Sequence, residues 1–427
     1  MGVSGYEGSG LGRPLESKHL KYAIVIPDGA ADEAVETLGG RTPLQAARLP
    51  AMDWIAREGV VGASCNVPAR FLPGSDVATL SLLGYDPERF FTGRAPLEAA
   101  AMGVVLGPHD WAVRCNILTI ANGRMADFTA GHIRDEEARA VIDSLNKSVT
   151  AERLGLPFEI EFRAGVSYRN LMIIRGRAGE AGLGADLRTT PPHDIPDQLV
   201  NEHLPRGEGA ELLERIMRAA SSVVVDHPVN RGRLAEGKKP GNAIWLWGQG
   251  KAPALSSFQE MHGLRGAMIS AVDLVRGVGM LAGWTRLDVA GATGYLDTDY
   301  AAKGRAAIAA LETHDLVCVH IEAPDEASHE GRADAKVEAL ERIDEHIVGP
   351  LREALARSGD YRILITPDHA TLLRTKAHDR APVPWTMCGR GIAASGASYD
   401  EAAARAAGRP FLEQGWRLMD EYLIAKV

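Results

Sequence analysis

"YRILITPDHATLLRTKAHDR" (residues 361–380) begins with a short aliphatic run, breaks at Thr366-Pro367, and then places Asp368 beside His369, with His378 nine positions further on. An apolar run of this length, bounded by a proline, reads as a strand buried on both faces. Three more stretches have the same form: "YAIVIPDG" (22–29), "LVCVHIEAPD" (316–325) and "SSVVVDHPVN" (221–230). Two of the four follow helical patterns, "AAKGRAAIAALETH" (301–314) and "AKVEALERIDEHIVGPLREALARSG" (335–359). Apolar strands alternating with such helices predict an α/β fold with a mainly parallel sheet flanked by helices. In these sheets ligands collect at the carboxyl ends of the strands. Asp28, Asp325, Asp368 and His369 fall at or just past such ends.

Between about Pro87 and Leu264 the pattern changes. Shorter strand candidates appear: "WAVRCNILTI", "FEIEFRAG", "YRNLMIIRG" and "NAIWLWGQG". Gly/Pro-rich turns such as "TTPPHDIPD" and "RGRLAEGKKPGN" separate them. The expectation is a smaller α/β or α+β unit, residues 89–265, inserted into a discontinuous first domain, 21–88 and 266–427. Residues 1–20, rich in Gly and Ser, are expected to form a flexible N-terminus.

Length, composition and charge narrow the function. At 427 residues the chain exceeds one typical core. The formal net charge of −9, without a basic block, argues against nucleic acid as a partner. It leaves room for an anionic substrate at a local arginine cluster. The four cysteines have no paired spacing, no leader-like apolar segment opens the chain, and no run suffices to span a bilayer. A soluble cytoplasmic protein is expected, with no membrane partner; a homo-oligomer is left open.

The strand-end residues point to metal chemistry. Asp325 and His329 in "APDEASHEG" are four apart, so on a helix they share one face. Carboxylate and imidazole together suit Zn, Mn or Fe. Alone, the pair reads more readily as a solvated helix face than as a ligand pair, and "TPDHATLLRTKAHDR" alone more readily as an Asx-turn loop with a surface histidine. Together, Asp28, Asp325, His329, Asp368, His369 and His378 exceed what one four-coordinate metal requires. They suit two metals about 3.5–4 Å apart, an arrangement used for phosphoryl displacement. Such a site needs a nucleophile. Ser75 in "FLPGSDVATLSLLGYDP" (71–87) follows Pro73-Gly74 at a helix start, where it reads either as the helix cap or as a hydroxyl activated beside a dication. "GRLAEGKKPG" nearly spells a phosphate-binding P-loop, but Lys239 stands where a hydroxyl is needed.

The ordered set "PDG", "GSDVATLSLLGYDP", "EAPDEASHEG" and "TPDHATLLRTKAHDRAPVPW" closely resembles the archaeal type of cofactor-independent (2,3-bisphosphoglycerate-independent) phosphoglycerate mutase, in the alkaline phosphatase superfamily. "RCNILTI", "AGHIRDEEA", "GVSYRNLMII", "PPHDI", "HPVN" and "GNAIWLWGQG" carry the resemblance through the middle. It implies an alkaline-phosphatase-like fold with an inserted lid domain. It also implies two divalent ions (Mn, Mg, Zn or Co), one held by Asp28, Ser75, Asp368 and His369, the other by Asp325, His329 and His378. Ser75 is then expected to take the phosphoryl group from 3-phosphoglycerate and return it to the 2-hydroxyl, a glycolytic and gluconeogenic step. For the phosphate and carboxylate of this small phosphorylated acid, Arg169, Arg134, Arg231, Arg233, His193, Asp194 and Lys303 are candidates. His132 is a candidate general acid/base. A related phosphoryl transferase such as a homoserine kinase, or a phosphatase, shares the same core motifs.

Overall fold

The computed structural model describes residues 20–177 and 183–426, so the expectation for the first twenty residues falls almost wholly outside it. Eight strands form the main sheet, in the order Phe411–Leu412, Val60–Ser64, Val383–Gly389, Tyr361–Ile365, Lys21–Pro27, Leu316–Ile321, Gly266–Ile269, Thr285–Arg286. The last five in this order, Tyr361–Ile365 to Thr285–Arg286, are parallel; Val383–Gly389 runs antiparallel to both of its neighbours. The strand Lys21–Pro27 lies at the centre, pairing with Leu316–Ile321 on one side and Tyr361–Ile365 on the other. These three strands are almost wholly buried because apolar clusters cover both faces of the sheet. That explains why they read as unbroken aliphatic runs rather than alternating ones.

The second sheet is antiparallel and has five strands. Its long central strand, Trp111–Ala121, pairs with Arg169–Arg175, with Ala243–Gly250 and, near its end, with Arg124–Asp127; Glu159–Val166 pairs in turn with Arg169–Arg175. Helices Asp135–Ser148 and Ala210–Val224 bury its outer face through Val141, Ile142, Leu145, Leu213, Ile216 and Ala220.

Here the structure corrects one expectation. "SSVVVDHPVN" is not a strand: Ser221–Val224 finish the helix Ala210–Val224, and Pro228 opens the next, Pro228–Ala235. The valines are β-branched, but they continue an amphipathic helix whose face is set by Leu213, Ile216, Met217 and Ala220. Tertiary burial overrides local propensity there. Most of "RGRLAEG" is likewise helix rather than turn, which removes the remaining P-loop appearance.

Helix Arg94–Ala101 joins the two sheets. Its alanines Ala95 and Ala99 pack on the inner face of the second sheet, against Ala112, Leu171 and Ile173. It also packs on helix Asp273–Leu281, where Gly277 permits the approach: a Cβ there would lie 1.9 Å from the Leu97 carbonyl oxygen.

Candidate active site

The predicted ligand residues converge where the central strands end. Asp28 follows strand Lys21–Pro27, Asp325 and His329 lie on helix Ala323–Glu330 after strand Leu316–Ile321, and Asp368 and His369 follow strand Tyr361–Ile365. His378 returns on the hairpin Ala370–Leu372/Ala377–Asp379, paired across from Thr371. The four-residue spacing of Asp325 and His329 becomes a contact of 3.1 Å. His378 Nε2 is 3.4 Å from the other Asp325 oxygen and 2.9 Å from His329 Nε2. His369 Nε2 is 3.5 Å from Asp28 and 3.4 Å from Asp368.

Ser75 joins this cluster. Gly74, not Ser75, is the N-cap of helix Ser75–Leu82, and Ser75 is its first helical residue. Its hydroxyl therefore does not cap: it donates to Asp28 Oδ2 at 3.2 Å and lies 3.2 Å from His369 Nε2. Gly29, at φ +61°, holds the turn between Asp28 and the hairpin, where a Cβ would meet both Thr371 and Asp325.

Taken alone, the cluster is electrostatically incomplete. Burial, then repulsion from Asp368 and Asp325, drives the Asp28 carboxyl well above its usual range. Burial also acts on Asp325, but hydrogen bonds from His329 and His378 outweigh it and hold that carboxyl well below its usual value. The Asp325 hydrogen bond raises His329 to about 9. Asp28 Oδ1 and Asp368 Oδ2 are buried with no hydrogen-bond partner. Unpaired buried carboxylate oxygens are costly, and a divalent cation held between Asp28 and Asp368 would satisfy both. Among the described residues three triads have ligand atoms within 4.8 Å of one another: Asp28, Asp368 and His369; Asp325, His369 and His378; and Asp28, His320 and Glu322. The donor chemistry thus fits divalent ions.

Two nearby residues escaped the sequence reading. His320, fully buried, lies with Nε2 2.8 Å from Asp28 Oδ2 and Nδ1 3.2 Å from the Ser270 hydroxyl. Glu322, with Oε2 3.8 Å from His320, has that oxygen buried and unpartnered. They sit in the quoted "VCVHIEAPD", where a buried strand histidine was the available signal.

A cavity of about 1110 Å³ opens between the two sheets beside the cluster, with Glu322, Glu326 and His329 on its wall. Facing them are Arg94, Arg114, Arg169 and His193. Arg114 is buried, paired with Glu98 through two contacts of 2.9 Å, and stacked 4.0 Å over Trp247. Arg94 Nε lies 3.1 Å from Asp76, the residue after Ser75.

Of the predicted substrate residues, Arg169 and His193 reach this cavity. The others do not line it. Arg233 is buried with its guanidinium occupied by Glu137 and the carbonyls of Ala130, Gly131 and Lys239. Arg134 is exposed and pairs with Glu137, Arg231 donates to the Asp226 carbonyl, and Asp194 is exposed beside His193. His132 is exposed on a turn at φ +49°. Lys303 is fully buried and donates to the His320 carbonyl at 3.3 Å, beneath the cluster rather than in the cavity.

A family model described as 2,3-bisphosphoglycerate-independent phosphoglycerate mutase matches residues 56–230. A protein of that name from Methanothrix thermoacetophila is 48% identical over 92% of this chain and 97% of its own. Another, from Methanosarcina acetivorans, is 49% identical over 86% of this chain and 90% of its own. The cofactor-independent phosphoglycerate mutase structure from Thermoplasma acidophilum is 26% identical with a TM-score of 0.63, covering 94% of this chain and 98% of its own. A Pyrococcus horikoshii protein structure reaches 0.77 at 28% identity, over 94% and 96%. Near-half identity along almost the full length, on the fold described above, places the chain in the 2,3-bisphosphoglycerate-independent phosphoglycerate mutase family, a family of isomerases.

Proposed function

We propose that this chain interconverts 3-phosphoglycerate and 2-phosphoglycerate through a phosphoserine on Ser75. One observation carries the reading: the Ser75 hydroxyl is turned away from capping its own helix and into the cluster of Asp28 and His369. Asp28, Ser75, Asp368 and His369 would hold one divalent ion, and Asp325, His329 and His378 the other. Bound there, two such ions supply charge neutralisation for the transferring phosphoryl group and favour the ionised serine.

The chain's own residues would do the rest. Ser75 Oγ forms a bond to phosphorus as the bond from phosphorus to O3 breaks, and the released 3-hydroxyl recovers the proton that the serine loses. Glycerate then turns within the cavity, its 2-hydroxyl oxygen forms a bond to phosphorus as the Ser75 Oγ–P bond breaks, and the proton that the 2-hydroxyl loses returns to Ser75. Arg169 and His193, with Arg94 and Arg114 on the same cavity wall, would hold the carboxylate and the transferring phosphoryl group through charge-assisted contacts. The segment 89–265 would act as the lid that keeps water from the phosphoserine. The four free cysteines fit a reducing cytoplasm, and no helix among the described residues is long and apolar enough to cross a membrane.

The test is direct. Metal-loaded protein is incubated with 3-phosphoglycerate, and separately with homoserine plus ATP. Formation of 2-phosphoglycerate without added bisphosphoglycerate is expected. Its absence together with phosphohomoserine would replace this reading with a kinase.

A further inference from the structure

Thr371 is fully buried and touches both ligand sets at once. Its hydroxyl contacts Asp325 Oδ1 on one side and lies 3.2 Å from His369 Nδ1 on the other. His369 turns Nε2 toward Ser75, Asp28 and Asp368. A histidine that binds a cation through Nε2 must carry its proton on Nδ1. That proton can be donated to Thr371 Oγ1, which leaves the threonine's own proton for Asp325. The chain then has one direction only: His369 Nδ1–H to Thr371 Oγ1, and Thr371 Oγ1–H to Asp325 Oδ1. An apolar side chain of the same shape would leave both ends buried without a partner.

The threonine is itself fixed. Its backbone carbonyl accepts from Lys336 Nζ at 2.8 Å, and its position in the hairpin is paired with His378.

We infer that Thr371 is a positioning residue that couples the two donor sets, setting the His369 tautomer for one and the Asp325 orientation for the other. This rests on the two-ion reading of the site. Partners behind metal ligands commonly contribute about 10–100-fold in metal affinity, and here a single hydroxyl serves two sets.

The test uses the full chain, stripped by chelation and titrated with cobalt(II) alone, its affinity read by visible absorption and competition with a chelator. Thr371→Val should weaken both equivalents about 10–100-fold, with circular dichroism unchanged, and Thr371→Ser should restore both. Wild-type binding by Thr371→Val, weakening of only one equivalent, or a Thr371→Ser variant as poor as the valine would each overturn the coupling. Asp325→Asn and Asp368→Asn run alongside. If neither lowers cobalt stoichiometry or affinity, the two-ion reading itself fails, and the inference falls with it. If both do so while Thr371→Val does not, only the inference falls.

Discussion

Replacing Lys336 by methionine should be among the most destabilising single changes around the main sheet. Its ammonium is fully buried, 2.8 Å from an equally buried Asp32 oxygen and 2.8 Å from the Thr371 carbonyl. The same Asp32 oxygen accepts from the Leu373 backbone at 3.2 Å, and the Asp32 backbone donates to Glu401. The pair therefore ties the loop after the first strand to the hairpin that carries His378. Methionine fills the volume but leaves a buried carboxylate without its cation. Breaking such a pair from one side costs about 3–5 kcal/mol. The double change Asp32→Asn with Lys336→Met removes the stranded charge and should recover at least about 1 kcal/mol of that loss, because contacting residues do not add independently. Urea unfolding followed by circular dichroism, with chelator present so that ion binding adds nothing to the native state, measures both. A loss below about 1 kcal/mol for Lys336→Met, or a double variant less stable than the single, would refute the argument.

Other expectations concern the cavity and its floor. Arg169→Ala should raise KM for 3-phosphoglycerate about tenfold or more with little change in kcat, as expected for loss of a uniform binding contact; an unchanged KM removes Arg169 from the substrate contacts. Burial pushes Lys303 from 10.5 down to about 8. Between those values the unfolded chain binds a proton that the folded chain has released, so this group makes stability rise with pH across that window and contributes no slope outside it. Lys303→Met should remove that slope: its stability relative to the parent falls as pH climbs from 8 toward 10.5. A difference that stays flat across the window would contradict the burial argument. Adding divalent ion to chelated protein should raise Tm by binding the native state; an unmoved Tm would argue that the buried carboxylates hold no ion.

Much of this cluster was legible because its candidate ligands lie within a few residues of strand ends. Asp28, Asp325, Asp368 and His369 each follow an aliphatic run, and the one-turn spacing of Asp325 and His329 needs only helix geometry. The cavity wall was less legible. Arg114, Trp247 and Asn116 belong together only because two strands far apart in sequence pair antiparallel, Arg114 opposite Trp247, with Trp247 Nε1 donating to Asn116 at 3.0 Å. Nothing local to either strand states that register. The basic residues Arg134, Arg231 and Arg233 read as substrate contacts because sequence shows charge but not what neutralises it. Folded, Arg233 is occupied by a carboxylate and three carbonyls. Ser75 was ambiguous for a related reason: a helix-start serine suits capping and nucleophilic roles alike until Gly74 takes the cap.

The phosphoserine tests the central claim most directly. Metal-loaded protein mixed with 3-phosphoglycerate, quenched in acid on the millisecond scale and digested, should yield a fraction of the peptide containing Ser75 heavier by one phosphoryl group, with fragmentation placing it on Ser75. The Ser75→Ala protein should yield none and form no 2-phosphoglycerate. Turnover by Ser75→Ala, or a phosphoryl group trapped on any other side chain, would contradict the account.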